Sequence, residues 1–300
     1  MITVIIPAKN EEKNLPELLE SLKKQNYHKK FELLLVDGKS NDRTREVAES
    51  YGCRVVIQKK LGISNARNLG WKLAKGDLLV FLEADQKVDK NMLKEVEETF
   101  SKKEVKCARA NYIPVKGNWI QKALSVQIEL ATRRQKSLEF PTIFRKEVLR
   151  KTRGWDERID FAEDRELPSR IKKLRYETVL IKNAVVYAKP VDSLSKLYKQ
   201  GRWYGRNIFG YFGKTKDFVT LFGVFVYSFF FPLMILSFVH QIFLTLFALD
   251  LLVLILYSLQ GLIIEKSYYA ILMIPINVVR GFGELIGMIE SLFRKTEGKV

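Results

Sequence analysis

The stretch LLVFLEADQKVD (78–89) joins an apolar run of strand type to two carboxylates at its end. Side chains alternate along a strand, so Glu83 and Asp85 project to the same side, with the small Ala84 between them. Two carboxylates on one side repel each other unless a cation or solvent separates them. The pattern is compatible with a solvated loop after a strand, or with a site for Mg²⁺ or Mn²⁺, which prefer carboxylate oxygens.

The sequence on both sides of this stretch alternates strands and helices. Apolar runs predict strands at 2–8, 32–38, 54–58 and 77–85, separated by segments with helical periodicity. The alternation predicts an α/β fold with a Rossmann-like, mostly parallel, doubly wound sheet. Such sheets bind ligands beyond the carboxyl ends of their strands, which here carry the turn PAKNE (7–11), Asp37, Glu83 and Asp85. Further along, the pattern predicts a strand at 105–113, a helix at 118–136, a strand at 141–144 and a helix at 163–174.

The C-terminal third of the chain has a different composition. From Phe218 to Ile264 the only formally charged residue is Asp250, and this run is about twice the roughly 20 residues that cross a bilayer once. It predicts a transmembrane helical hairpin with limbs at 218–238 and 242–264. The segment 268–291 is predicted to lie on the membrane surface as an amphipathic helix, with a third span as the alternative. The predicted organisation is a soluble domain at 1–190, an amphipathic interfacial segment at 191–217, the hairpin at 218–264, and a final membrane helix with a basic cytoplasmic tail at 265–300.

The formal net charge of +17 includes a basic cluster just before the apolar run. Between Lys189 and Lys216 lie seven Lys or Arg residues and a single acid, Asp192. Such a cluster marks the cytoplasmic side of a membrane and attracts anionic headgroups. Since ITVIIPA (2–8) is too short for a signal peptide, we expect an integral protein of the cell membrane with its first domain in the cytoplasm.

Composition also excludes several classes of protein and site. The chain shows no helix-turn-helix, zinc-finger or aromatic RNA-binding motif, so its charge does not predict a nucleic-acid partner. With Cys53 and Cys107 as its two cysteines, a disulfide scaffold and a cysteine-ligated zinc are excluded. With His28 and His240 as its two histidines, a histidine-rich metal site is excluded as well.

Four stretches, taken in order and spacing, resemble the family 2 glycosyltransferases of GT-A fold. They are PAKNEEKNL (7–15), VDGKSNDRT (36–44), GISNARNLG (62–70) and LEAD (82–85). A fifth stretch, FAEDRELPSR (161–170), resembles the acidic motif that carries the catalytic base of that family. The membrane segment resembles that of relatives that act on lipid or growing-polymer acceptors.

The resemblance implies a role for each matching residue. Contacts to the donor nucleotide are implied for Pro7, Ala8, Asn10, Glu11, Asp37, Arg67, Glu83 and Ala84, and a contact to Mn²⁺ or Mg²⁺ for Asp85. The chain has Glu83 where the family has the first Asp of Asp-x-Asp, and the extra methylene moves that carboxylate by roughly an ångström or more. The residues by themselves leave alternatives: Asp37 as an Asx-turn residue before Gly38, and Arg67 as a surface side chain behind a cap at Ser64.

The acidic motif implies that Asp164 is the catalytic base and that Glu163 supports it or contacts the substrate. On a helix these neighbours point about 100° apart, so one faces the site while the other supports it or lies in solvent. The alternative is an acidic helix start that stabilises the macrodipole. In KQGRW (199–203), Arg202 and Trp203 resemble part of an interfacial Gln-x-x-Arg-Trp motif that contacts diphosphate or acceptor, with Lys199 in place of Gln; a juxtamembrane anchor without chemistry is the alternative.

Together these features predict a membrane-bound, metal-dependent, inverting glycosyltransferase. It would transfer a sugar from a nucleotide-sugar donor to a hydroxyl of a lipid-linked acceptor at the cytoplasmic membrane face. One alternative is a polyprenyl-phosphate glycosyltransferase, whose acceptor is already anionic. The other is a catalytically silent, membrane-anchored nucleotide-binding module.

Overall fold

A computed structural model describes residues 1–134, 142–159, 163–215 and 218–297. The chain forms two compact units. The first contains Met1–Ile113 and the described part of Ser137–Lys189; the second contains the described parts of Pro114–Lys136 and Pro190–Val300. The sequence did not predict that the segment after Ile113 groups with the C-terminal helices.

The first unit is built on an eight-stranded mixed sheet. Its strands are β1 (Ile2–Ala8), β2 (Glu32–Asp37), β3 (Arg54–Ile57), β4 (Leu78–Phe81), β5 (Lys87–Val88), β6 (Cys107–Pro114), β7 (Ile143–Arg145) and β8 (Thr178–Ala188), in the order β3-β2-β1-β4-β7-β6-β8-β5. Strands β3, β2, β1 and β4 are parallel. The β4–β7, β6–β7 and β5–β8 pairs are antiparallel. The predicted parallel half is therefore present, and an antiparallel half extends it.

The helices are α1 (Leu15–Lys23), α2 (Thr44–Ser50), α3 (Ile63–Leu73), α4 (Met92–Phe100), α5 (Trp119–Arg134), α6 (Lys146–Thr152), α7 (Glu163–Lys173), α8 (Leu194–Thr215), α9 (Phe218–Ser228), α10 (Phe230–Leu236), α11 (Gln241–Ile264) and α12 (Met273–Glu297), with a 3₁₀ helix at Tyr268–Leu272. Strands β5 and β8 and helices α4 and α6 were not predicted. Strand β4 ends at Phe81. The predicted range 77–85 placed Glu83 and Asp85 within the strand, but they lie in the turn after it.

The alternation of side chains along β1 builds two apolar layers. Val4 and Ile6 pack on one face of the sheet with the leucines of α1. Ile5 packs on the other face, in a layer that includes Phe81 and Trp155, whose ring centroids lie 4.9 Å apart. The register pairs Ala8 with the last residue of β2, so the carboxyl ends of β1 and β2 lie side by side.

Glu32 links strands of the parallel half at their amino ends. Its carboxylate accepts hydrogen bonds from Thr3 Oγ1 (2.7 Å), the Lys75 amide (2.8 Å) and Arg54 Nε (3.0 Å). Burial is the largest single influence on its pKa and raises it, but these hydrogen bonds and the Arg54 charge together outweigh burial. The net effect lowers the pKa of Glu32, so the folded state favours the ionised carboxylate.

In the second unit the backbones of α8 and α12 are in direct contact. Gly201 and Gly205 of α8 face the backbone carbonyls of Arg280 and Glu284, and Gly283 and Gly287 of α12 face those of Tyr198 and Arg202. A Cβ at Gly205 or Gly283 would overlap the opposing carbonyl oxygen. Two G-x-x-x-G segments therefore interlock, which is the packing that lets helix backbones approach closely.

The apolar run differs from the predicted hairpin. The first limb, expected as one helix over 218–238, consists of α9 and α10, which are interrupted at Phe229. Pro232 causes this interruption because it cannot donate a hydrogen bond to the carbonyl of Ser228, one turn earlier. In the described part of the chain, two helices have the length and apolar composition of a membrane span: Gln241–Ile264, which matches the second limb, and Tyr268–Phe293, the predicted alternative third span.

Candidate functional site

The turn after β1 is held by hydrogen bonds to the turn after β2. The Asn10 amide donates to Ser40 Oγ (2.9 Å), and Ser40 Oγ donates to Asp37 Oδ1 (2.5 Å). The Ser40 amide also donates to both Asp37 oxygens at 3.2 Å. Asp37 is fully buried, and its carboxylate holds the local turn through Ser40, three residues on, rather than two residues on as in the Asx-turn alternative.

The same turn presents Glu11 to a cleft. The Glu11 amide donates to Thr44 Oγ1 (2.7 Å), and Asn14 Nδ2 donates to Glu11 Oε2 (2.7 Å). The cleft measures about 380 Å³. Its lining residues come from the ends of the four parallel strands and the start of α3: Pro7, Ala8, Lys9, Glu11, Gly38, Gln58, Leu61, Gly62, Ile63, Ala66, Glu83, Ala84 and Asp85. Asn10 does not line the cleft; its Oδ1 accepts a hydrogen bond from the Asn41 amide (2.9 Å).

Carboxylates dominate the charge of this cleft. Burial raises the pKa of the half-buried Asp85, the Glu11 carboxylate raises it further, and Lys189 opposes the shift. Among the described residues, Asp85 forms no ion pair, and no group of three His, Cys, Asp or Glu side chains is arranged to hold a metal ion. The arrangement offers negative oxygens to a cation that also has other ligands.

A smaller cavity of about 60 Å³ adjoins the cleft and shares Pro7 and Glu83 with it. Arg67, Trp155 and Asp164 also line this cavity. The carboxylate of Asp164 therefore reaches the space next to the cleft that holds Glu83. Phe161 and Ala162 of the predicted acidic motif lie outside the described residues.

Arg67 joins the two acidic stretches. Its Nη1 lies 2.6 Å from Glu163 Oε1, its Nη2 lies 3.5 Å from Glu83 Oε1, and its guanidinium lies over the Trp155 ring, 5.7 Å from the centroid. The exposed-surface alternative for Arg67 is therefore wrong, since 14% of its side chain is exposed. Burial raises the pKa of Glu163; Arg67 opposes this shift, and Asp164 adds to it.

Glu83 lies between both spaces. Its side chain is 61% exposed, and desolvation by the surrounding residues nevertheless raises its pKa. Arg67 lowers that pKa, while Asp85 and Asp164 raise it. Three carboxylates and one guanidinium thus act on one another across the cleft and the cavity, which is typical of a site built for a charged substrate.

A protein-family model matches more than half of the chain. The model for glycosyl transferase family 2 matches residues 3–174. The chain belongs to glycosyl transferase family 2. The matched range contains the four donor-side motifs and the acidic motif, so the predicted family is confirmed.

Curated relatives of this family 2 chain match a part of it. The 4,4′-diaponeurosporenoate glycosyltransferase of Staphylococcus haemolyticus is 42% identical over 91 residues, covering 28% of this chain and 24% of the relative. The undecaprenyl-phosphate 4-deoxy-4-formamido-L-arabinose transferase of Pseudomonas paraeruginosa is 37% identical over 94 residues, covering 28% of each. The matched segment therefore spans about a quarter of the length of these relatives.

Solved structures confirm the GT-A fold. TarS 1–349 of S. aureus in complex with UDP has a TM-score of 0.51 at 25% identity and covers 69% of this chain and 65% of its own. The mannosyltransferase PcManGT from Pyrobaculum calidifontis, solved with GDP-Man and Mn²⁺, has a TM-score of 0.61 at 16% identity and covers 98% and 87%. The second likeness concerns the fold alone.

Helix α3 of this family 2 chain holds a site element that the sequence did not reveal. Asn68 Nδ2 donates to the Trp155 carbonyl (2.8 Å) and Glu157 Oε1 (3.1 Å), while Asn68 Oδ1 accepts from the Trp155 amide (2.9 Å) and Trp71 Nε1 (3.0 Å). Ser64 Oγ donates to the Ile159 carbonyl (2.6 Å). These bonds fix the segment that leads to α7 and hence to Asp164.

The interfacial residues predicted near the membrane lie in the second unit. Arg202 Nε lies 2.8 Å from Glu290 Oε1, and both Arg202 and Arg206 form ion pairs with that carboxylate. Trp203 is 42% exposed and lies beside Tyr204, with 5.5 Å between the ring centroids. The guanidinium of Arg202 thus links α8 to α12, which is an anchoring role within its own unit.

Proposed function

We propose that this chain is an inverting glycosyltransferase that transfers a sugar from a nucleotide-sugar donor to a hydroxyl of a lipid-linked acceptor. The observation that carries the proposal is the adjacency of the two spaces. The cleft with Glu11 and Asp85 and the cavity with Arg67 and Asp164 share Glu83. Donor and acceptor would therefore meet at one point, and membership of family 2 supports this assignment of the two spaces.

The donor would occupy the cleft at the carboxyl ends of β1 and β2, with a divalent cation at its diphosphate. Asp85 and Glu11 supply carboxylate oxygens, and Mg²⁺ is commonly held by one or two carboxylates plus substrate phosphates. A site without three protein ligands therefore fits Mn²⁺ or Mg²⁺. When bound, the cation would neutralise the charge that develops on the leaving nucleotide. The UDP-bound relative supports uridine nucleotides as the first donors to test.

Asp164 would act as general base. As the acceptor oxygen forms its bond to the anomeric carbon, the bond from that carbon to the donor phosphate breaks. The nucleotide leaves with the electron pair, and the hydroxyl proton passes to the Asp164 carboxylate. Attack opposite the leaving group gives inversion. Arg67, held by Glu163, would orient this carboxylate and keep positive charge beside the reacting centre.

The second unit would hold the enzyme in the membrane. Two helices with the length and composition of membrane spans and the basic cluster before them support membrane attachment with the first unit in the cytoplasm. A lipid-linked acceptor would then reach the site from the membrane surface. Relatives named for 4,4′-diaponeurosporenoate and undecaprenyl phosphate support an acceptor of this class.

A polyprenyl phosphate is the second candidate acceptor. It is favoured by the relative from Pseudomonas paraeruginosa, whose name gives undecaprenyl phosphate as the substrate. An acceptor phosphate is already anionic near neutral pH and needs little help from a base. The two candidates therefore differ in their dependence on Asp164.

The proposal is tested with membranes that contain the full chain. They are incubated with a panel of radiolabelled nucleotide sugars, and lipid extracts are examined for labelled product, with the Asp164→Asn variant as the matched control. Labelled lipid from the parent chain is the expected result. Donor binding without any labelled lipid, across the panel and with Mn²⁺ or Mg²⁺ present, would contradict the proposal and favour the silent binding module.

A further inference from the structure

An apolar cavity in the second unit contains a carboxylate that the proposed reaction does not use. This cavity is an open groove of about 350 Å³ between the α9–α10 segment and α11, and some of its walls are exposed, with Phe222 at 67% and Leu249 at 54%. Its walls include Phe222, Phe225, Phe229 and Leu233 from one side and Leu249 and Val253 from the other. Asp250 lies in the same wall and is the only formally charged residue between Phe218 and Ile264.

One oxygen of the Asp250 carboxylate has no hydrogen-bond partner among the described residues. Asp250 is 8% exposed, and the unpartnered atom is its buried Oδ2. An unpaired polar atom in apolar surroundings destabilises a fold, and a well-packed apolar residue would avoid that cost. A bound group that forms a hydrogen bond to this carboxyl oxygen would therefore stabilise the position.

The size and apolar walls of the cavity indicate the chemistry of the rest of the ligand. Its volume lies in the range of small-molecule pockets, which are mostly apolar with a few polar groups that fix orientation. The stacked rings of Phe225 and Phe229, with centroids 5.2 Å apart and planes 7° apart, form an apolar wall. An extended hydrocarbon chain suits such a wall, and a polar group on that chain would meet Asp250.

We infer that this cavity binds a long-chain alcohol, with the hydrocarbon chain against the phenylalanine wall and the hydroxyl on Asp250. A hydroxyl both donates and accepts, so it pairs with the carboxyl whether Asp250 is ionised or protonated. No bond is made or broken. The inference concerns binding alone and does not depend on the catalytic roles of Asp85 or Asp164.

The test uses the full chain purified in detergent and two probes with the same number of non-hydrogen atoms, decanol and undecane. Their apparent dissociation constants come from the dependence of the thermal unfolding midpoint on probe content of the micelles. Decanol is expected to bind about 3- to 10-fold more tightly than undecane, which corresponds to one hydrogen bond.

Three variants make the test specific. Asp250→Leu should raise the unfolding midpoint of the empty protein, because it removes the unpaired oxygen, and should abolish the preference for decanol. Asp250→Asn keeps a donor and an acceptor and should retain that preference. Ser258→Ala is the matched control on α11. Ser258 Oγ is also buried without a hydrogen-bond partner among the described residues, but Ser258 does not line the cavity, so the change should leave the preference unchanged.

Equal affinities of the parent chain for decanol and undecane would overturn the inference, since apolar filling alone would then explain binding. A full preference for decanol in Asp250→Leu would overturn it as well, because the hydroxyl would then have another partner. Either result leaves the catalytic proposal untouched, since turnover is not measured.

Discussion

Replacement of Asn68 by leucine should strongly destabilise the first unit. Leucine has the same number of side-chain heavy atoms with the same branching at Cγ, so the change removes hydrogen bonds without opening a cavity. Three groups lose their partner: the Trp155 amide, the Trp155 carbonyl and the Trp71 indole N–H. Each unpaired buried group costs about 1–3 kcal/mol, so the low end of that range already gives a loss of about 3 kcal/mol.

A loss of about 3 kcal/mol lowers the unfolding midpoint of a unit of this size by about 6–12 °C. The assay is thermal unfolding of the full chain in detergent, followed by tryptophan fluorescence. Asn65→Leu is the matched control on the same helix, because Asn65 makes a single local hydrogen bond of 3.3 Å to the Leu61 carbonyl. Equal shifts for the two variants, or a shift below about 2 °C for Asn68→Leu, would refute the assignment of Asn68 as the link to the Trp155 segment.

Three further perturbations test other parts of the account. Asp85→Ala should abolish transfer and weaken nucleotide binding measured by calorimetry with Mn²⁺ present, whereas full turnover in excess chelator would exclude a metal role. The ionised form of Glu32 stabilises the fold above its ordinary pKa of 4.5, and this stabilisation is lost as the pH falls. The unfolding midpoint of Glu32→Gln should therefore fall less steeply below pH 4.5 than that of the parent chain. Parallel curves of unfolding midpoint against pH for the two proteins would contradict this. Gly205→Val should separate α8 from α12, because a Cβ there meets the Glu284 carbonyl, whereas Gly213→Val on the same helix has open space; equal thermal shifts would contradict the interlocking of these helices.

The parallel half of the sheet could be predicted because its strands are short apolar runs that alternate with periodic helices. Their carboxyl ends must converge, and the cleft accordingly gathers Pro7, Glu11 and Asp85 from separate stretches. The antiparallel half of the sheet was harder to predict from the sequence. Strand β8 mixes exposed and buried positions without a clean alternation, so the sequence showed no two-residue period there.

Side-chain pairs across long separations could not be predicted from local patterns. Arg67 and Glu163 are 96 residues apart, and Asn68 and Trp155 are 87 apart. Both pairs arise because α3 and the start of α7 lie on one side of the sheet, which depends on the topology of the whole unit. The first limb of the hairpin was mispredicted for another reason: composition indicated a long helix, but Pro232 interrupts its hydrogen bonds.

The central claim is that Asp164 takes a proton from an acceptor hydroxyl, and one measurement tests it most directly. Turnover and donor affinity are compared between the parent chain and Asp164→Asn, which keeps the size of the side chain and removes its basicity. General-base assistance contributes about 10²- to 10⁴-fold, so turnover should fall by at least 100-fold while donor affinity stays nearly unchanged. Asp156→Asn is the matched control and should keep most of its activity. Asp156 lies in the segment before α7 and does not line the cavity that contains Arg67 and Asp164. A loss below about tenfold for Asp164→Asn, well under the range for base catalysis, would contradict the hydroxyl-acceptor account and favour a phosphate acceptor.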